Sequence, residues 1–198
     1  MKRVGVLGGS FDPVHNAHLA LARCALDALQ LDALKWIPAG LPWQKAARRL
    51  ASAADRLAML ALAVEGEPRY EIDACEIERA GPTYTIDTLD HLRSREPAAR
   101  WFLIVGQDQW ARFDTWHRWP DILRAATVAV AGRAGDAPRA SAAVAALQPS
   151  VALLPLAPTA ESASDIRARV AAGEPIDDAV PAPVARYIDR HHLYRTRS

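Results

Sequence analysis

Cysteine is nearly absent from this chain: it holds two, Cys24 and Cys75, among 198 residues. Their separation offers no disulfide framework. With no Cys-x-x-Cys and no His-Glu-x-x-His to add further ligands, a zinc site is not expected either. No apolar run approaches the ~18 residues of a membrane-spanning helix, and the apolar run after Met1-Lys2-Arg3 is too short for a signal peptide. The expectation is a cytoplasmic protein with no membrane partner. An excess of one charge is also lacking. The net charge is +1, and without a stripe of interleaved basic and aromatic residues a nucleic-acid partner is not expected. Internal repeats are missing, and the only linker-like stretch is Gly132 to Ala146, within which Arg133 to Arg139 reads as an exposed loop. The length suits a single domain, residues 1–198, long enough to bury roughly 70% of the surface of its unfolded chain.

What is present is an alternation. Short β-branched and apolar runs suggest strands at Val4 to Leu7, Leu34 to Ile37, Arg69 to Ile72, Trp101 to Val105, Thr127 to Ala131 and Val151 to Leu154. Between them lie segments of helical periodicity: Ala17 to Leu29, Ala53 to Val64, Thr85 to Arg95, Ile122 to Ala125, Ser164 to Ala172 and Ala182 to Asp189. Strands alternating with helices argue for an α/β fold with a parallel sheet and right-handed crossovers, which gathers ligands at the carboxyl ends of the strands.

The most informative segment stands at one such end: Gly8-Gly9-Ser10-Phe11-Asp12-Pro13-Val14-His15-Asn16-Ala17-His18. Glycines at a strand end let backbone N–H groups approach an anion, and a following helix adds its positive N-terminus. His15 and His18, three residues apart at a helix entrance, lie on one side and can donate to the same group. The segment reads as a phosphate site. It is not a dinucleotide fingerprint, which needs Gly-x-Gly-x-x-Gly, nor a Walker loop, which needs Gly-Lys-Ser/Thr. The bland alternative is that the histidines merely cap a surface helix. For Asp12, before Pro13, a turn role is expected.

This segment resembles the Gly-x-Phe-x-Pro-x-His-x-x-His signature of the nucleotidylyltransferase superfamily, whose members join a nucleotide to a phosphorylated acceptor and expel pyrophosphate. A second superfamily signature, Ile-Ser-x-Thr-x-Ile-Arg, is approached by Ser162-Ala163-Ser164-Asp165-Ile166-Arg167, with Glu161 at the usual Ile and Ser164 at the usual Thr. Between them, Trp36-Ile37-Pro38-Ala39-Gly40 through Lys45, Gly81 to Leu89, Ile104 to Asp108, Phe113-Asp114-Thr115-Trp116-His117 and the tail from Val180-Pro181 to Leu193-Tyr194 resemble the nicotinate-nucleotide adenylyltransferase family. Where that family often carries Pro-Pro-His-Lys, this chain has Pro42-Trp43-Gln44-Lys45. The resemblance covers nearly the whole chain. It implies a Rossmann-like, doubly wound parallel sheet in three α/β/α layers, with a C-terminal helical part, about 160–198, carrying the second phosphate motif.

The resemblance also implies a reaction: transfer of the adenylyl group of ATP to nicotinate mononucleotide, giving nicotinate adenine dinucleotide and pyrophosphate in NAD biosynthesis. The acceptor phosphate is already ionised, so positioning and charge neutralisation carry the rate, not a catalytic base. The implied catalytic residues are His15, His18, Lys45 and Arg167. His18 faces the α-phosphoryl group, Lys45 bridges the reacting phosphates, and Arg167 holds the departing pyrophosphate. Gly8, Gly9, Ser10, Phe11, Gly106, Asp108, Ser162 and Ser164 would bind ATP, Asp108 by a ribose hydroxyl unless it caps the following helix. Thr83, Tyr84, Thr85, Trp116 and His117 would bind the acceptor, with Trp116 stacking on the pyridine ring unless it belongs to an aromatic cluster with Trp110 and Trp119. Mg²⁺ is expected with ATP, held mainly by phosphate oxygens, and no side chain is assigned as a metal ligand. A homo-oligomer stays open. Two other readings also stay open: a phosphopantetheine adenylyltransferase, and a catalytically silent nucleotide-binding module of the same fold.

Overall fold

In a computed structural model describing residues 1–42, 50–132, 136–156 and 161–195, six strands form one parallel sheet. They are β1 (Arg3–Gly9), β2 (Ala33–Pro38), β4 (Tyr70–Ile72), β6 (Arg100–Gly106), β7 (Thr127–Gly132) and β8 (Val151–Pro155), in the spatial order β4-β2-β1-β6-β7-β8. Counted within this sheet alone the order is 3-2-1-4-5-6, the doubly wound arrangement whose ligand crevice opens where the winding reverses, between β1 and β6. Two further two-residue strands, β3 (Leu41–Pro42) and β5 (Pro82–Thr83), pair in parallel beside it.

Alternation along each buried strand divides the core in two. Val4 and Val6 of β1, with Trp101, Leu103 and Val105 of β6, point to one face, where they meet α4 (Thr85–Arg95), α6 (Trp119–Ala125) and α7 (Ala142–Ala146). Leu7, Phe102, Ile104 and Ala129 point to the other, against α1 (Asn16–Ala28), α2 (Ala53–Val64), α8 (Ala163–Ala171) and α9 (Ala182–Arg190). A sheet covered on both faces requires such strands to be apolar throughout, which is why their sequences read as continuous runs. Helix starts obey local chemistry. The Ser52 and Ser162 hydroxyls accept the N–H groups of Asp55 and Asp165 at 3.0 and 3.2 Å, capping α2 and α8.

Five pieces escape the periodicity reading: the β3/β5 pair, the one-turn helices α3 (Cys75–Glu78) and α5 (Gln107–Trp110), a 3₁₀ turn at Phe113–Thr115, and α7. The last corrects the expected linker. Ser141 caps a helix there by accepting from Val144 N–H at 3.4 Å, and Val144 is fully buried. These pieces are too short for a period to emerge. Of Arg133 to Arg139, residues 133–135 lie outside the described residues.

Candidate active site

The first motif leaves β1 at Gly8 and Gly9, and the two glycines answer different needs. A Cβ on Gly9 would strike the Phe11 ring, 2.8 Å from its Cε1, whereas Gly8 has nothing within 4 Å and faces open space. Phe11 itself is buried with φ of 45°, a left-handed backbone that costs a non-glycine residue of order 1 kcal/mol and is typical of functional loops. Beneath the loop lies Arg56, a buried guanidinium whose Nη1 donates to the carbonyls of Ser10 at 2.9 Å and Ala39 at 2.8 Å. Arg56 thereby ties the turn after β1 to the turn after β2. Burial pulls its pKa down, although Asp12 nearby opposes this.

The two histidines separate in role. His15 is the N-cap of α1, only 6% exposed, with Nδ1 buried and lacking a hydrogen bond. Desolvation lowers its pKa to about 4, so it is neutral at physiological pH. His18 is half-exposed, its ring edge against Phe11 at 5.1 Å. Its Nδ1 accepts the backbone N–H of His15 at 3.3 Å. An imidazole accepting at Nδ1 carries its proton on Nε2, so His18 is set as an Nε2–H donor. The rings meet at a tilt of 37°, with centroids 3.8 Å apart.

At the switch point, a cavity of about 400 Å³ lies between the ends of β1 and β6. It is lined by Gly8, Gly9, Ser10 and His18 on one side, by Gly106 at the end of β6, and by Thr83, Thr85 and Trp116. His15, Phe11, Asp108, Tyr84, His117, Ser162, Ser164 and Arg167 are not part of that lining. Tyr84 and His117 are sequence neighbours of lining residues Thr83, Thr85 and Trp116. Tyr84 and His117 pair their rings at 4.4 Å, and Trp116 stacks on Phe113, which in turn meets Trp110. Trp116 thus both closes an aromatic ladder and walls the cavity. Asp108 is exposed in the first turn of α5, whose N-cap is Gly106, so its expected alternative as a helix cap is not realised. Lys45 lies outside the described residues, as do Trp43 and Gln44.

Fold and cavity suggest a nucleotide site, and comparison with known proteins narrows it. A family model described as Cytidylyltransferase-like matches residues 6–169. A curated protein of Methylibium petroleiphilum, named "Probable nicotinate-nucleotide adenylyltransferase", is 47% identical over 98% of this chain and 92% of its own length. The chain belongs to the nicotinate-nucleotide adenylyltransferase family. A relative of the same name in Bordetella petrii is 50% identical over 98% of this chain and all of its own length. The fold is likewise that of the nicotinic acid mononucleotide adenylyltransferase of Plasmodium falciparum solved with NaAD: TM-score 0.79 at 16% identity, covering 98% of each chain.

Within this adenylyltransferase, the second motif reaches the first. Arg167, on α8, donates through Nη1 to the carbonyl of Asp12 and through Nη2 to the Ser164 hydroxyl at 3.1 Å. Ser162 is committed to capping and also donates to the Asp165 carboxylate at 2.6 Å. Asp12, read from sequence as a turn residue, is 1% exposed and accepts from the Ala51 N–H at 3.1 Å and the Tyr194 hydroxyl at 2.8 Å. Neither Asp12 nor Arg56 announced itself, because a carboxylate or guanidinium in sequence is by default a solvated charge.

Glu76 was missed as well. It lines the cavity from α3, where Thr88 Oγ1 donates to it at 2.8 Å, and burial raises its carboxyl pKa against the pull of the Thr88 and Thr83 hydroxyls. Gly40 was left without a role by its sequence. A Cβ there would collide with the Glu76 carbonyl, so glycine permits the close approach that docks α3 beside the β3/β5 pair.

Proposed function

We propose that the chain transfers the adenylyl group of ATP to nicotinate mononucleotide, releasing pyrophosphate and forming nicotinate adenine dinucleotide. One observation carries the reading: a single cavity at the switch point is walled on one side by the first phosphate motif with His18 and on the other by Thr83, Thr85 and Trp116. Two substrates that must meet end to end need a site of that form.

In this reading the acceptor phosphate oxygen attacks the α-phosphorus of ATP in line, and pyrophosphate leaves. No protein base is required, because the attacking oxygen is already ionised. His18 donates from Nε2 to the α-phosphoryl group. Gly8, Gly9, Ser10, Phe11, Gly106 and Asp108 form the ATP side, with His15 fixing the entrance to α1. Arg167, beside Asp12, holds the β- and γ-phosphates with Ser164 and the first N–H groups of α8, which Ser162 caps, and Lys45, which follows β3 in sequence, joins them. Preorganised donors of this kind are worth about 3 kcal/mol each in rate.

Acceptor choice falls to the N-terminus of α4. Tyr84 caps that helix without a side-chain hydrogen bond, and the first N–H groups of any helix have no partner within it. A nicotinate carboxylate, which only accepts, is favoured there over the amide, whose NH₂ would face donors. His117, ring against ring with Tyr84, borders the same spot, and Trp116 offers the face for the pyridine.

The family generally uses a divalent metal, and Mg²⁺ entering with ATP is our reading. Among the described residues, the cavity lining brings one carboxylate, Glu76, already held by threonine hydroxyls. Among the described residues, the group of side chains close enough to share an ion, Asp73, Cys75 and His91, is not in that lining. The ion would therefore be held mainly by phosphate oxygens, where it neutralises their charge.

No described helix is long and apolar enough to cross a membrane. With its two free cysteines, we read the chain as cytoplasmic and as one domain, residues 1–198. The test is pyrophosphate release from Mg-ATP with nicotinate mononucleotide, nicotinamide mononucleotide and 4′-phosphopantetheine offered in parallel. Release with the first alone supports the proposal. Release with 4′-phosphopantetheine instead, or ATP binding without release, overturns it.

A further inference from the structure

The tail after α9 turns back into the phosphate site. His192 and Tyr194 hold left-handed backbones, φ 51° and 62°, conformations that persist only where surrounding contacts enforce them. The tertiary contact is specific: the Tyr194 hydroxyl donates to Asp12 Oδ1 at 2.8 Å, across 182 residues of sequence. The C-terminal region grips the motif elsewhere too, since Asn16 N–H donates to the Ala179 carbonyl at 2.9 Å and the Asn16 amide to the Asp178 carbonyl at 2.9 Å.

What Tyr194 holds is an unusual carboxylate. Oδ1 of Asp12 takes two donors, Ala51 N–H and Tyr194 O–H, whereas Oδ2 is buried with no hydrogen bond and stands 3.6 Å from Arg167 Nη1. At that distance the two form an ion pair without a direct hydrogen bond, while the same Nη1 donates to the Asp12 carbonyl. A buried carboxylate facing a guanidinium gains by closing such a gap, and two donors on the opposite oxygen resist the rotation.

We propose that Tyr194 is a positioning residue for the triphosphate: by fixing Asp12 it holds the Arg167–Asp12 ion pair short of a direct hydrogen bond and so leaves the guanidinium charge available to phosphate. The inference rests on Arg167 being a phosphate ligand, as proposed above. Without the hydroxyl, Asp12 rotates into a direct hydrogen bond with Arg167, and the tightened pair weakens the charge that ATP needs.

The test uses Tyr194→Phe, which removes one oxygen and keeps the ring. Calorimetric binding of Mg-ATP to the full-length protein without acceptor is expected to weaken ~10-fold, the scale of one charge-assisted hydrogen bond. The KM for nicotinate mononucleotide and the melting temperature should stay near wild type. Adding Asp12→Asn, which keeps an acceptor for Ala51 but removes the charge that captures Arg167, should recover most of the ATP affinity. Unchanged ATP affinity in folded Tyr194→Phe overturns the proposal. So does an equal loss toward both substrates together with a lower melting temperature, the mark of a purely structural strut. If wild type releases no pyrophosphate with any acceptor while Tyr194→Phe still weakens Mg-ATP binding, the reaction assignment fails and the positioning role stands.

Discussion

The backbone N–H of His15 donates to Nδ1 of His18 at 3.3 Å, and through that bond the cap of α1 fixes the tautomer of the side chain that walls the nucleotide cavity. One residue shapes the helix entrance; the other presents the proton. The pair invites separate tests.

Replacing His18 should separate rate from fold. His18→Ala is expected to lower kcat/KM by ~10² or more through loss of an aimed donor, and to cost only about 1 kcal/mol of stability through loss of an acceptor for the His15 N–H. His18→Asn, whose carbonyl can take over that acceptor, should restore stability but not rate. Steady-state kinetics beside thermal unfolding decide it: a collapse of the melting temperature in both variants would make His18 structural.

His15 predicts a pH dependence of stability. Its pKa falls from 6.5 unfolded to about 4 folded because burial disfavours the imidazolium. Between those values the unfolded chain binds the proton and the folded chain does not, so stability falls as pH drops from about 6.5 toward about 4. By linkage the loss amounts to about 3 kcal/mol. Urea unfolding across that interval should show the slope in wild type and a flatter one in His15→Asn, which also keeps a good N-cap residue.

For Trp116, stacked on Phe113 at 5.1 Å and lining the cavity, truncation to Ala is expected to raise the KM for the pyridine mononucleotide by about tenfold, on the scale of a lost aromatic stacking contact. The KM for ATP should change little. Equal changes in both would locate Trp116 in the scaffold instead of the acceptor side.

Gly40→Ala should be damaging despite adding one methyl group. The new Cβ would meet the Glu76 carbonyl, a backbone atom that cannot rotate aside, so α3 and the β3/β5 pair must shift. Overpacking of this kind costs about 1–3 kcal/mol. The lower melting temperature should be accompanied by a raised KM for the acceptor, because Thr83 belongs to the same pair.

The six strands and six longer helices were legible because their information is local. Val4 to Leu7 or Trp101 to Val105 must be apolar to be buried on both faces, and the helices repeat their apolar positions within a few turns. The first motif was legible for the same reason, with Gly8 through His18 contiguous. That adjacency could not reveal that His15 would be buried and His18 left at the cavity, since one helical turn places them side by side and only the packing around α1 distinguishes them.

The sequence by itself determined the element types, the parallel sheet and the position of the phosphate loop, because periodicity and glycine placement act over a few residues. The tertiary structure alone decided the partnerships: Arg56 beneath Ser10 and Ala39, Arg167 against Asp12, Tyr194 reaching back from the end of the chain, and Glu76 packed where Gly40 makes room. A charged or polar side chain is written identically in sequence whether it ends in water or in the core, and what settles the matter is the desolvation cost and the donor or acceptor that folding brings to meet it.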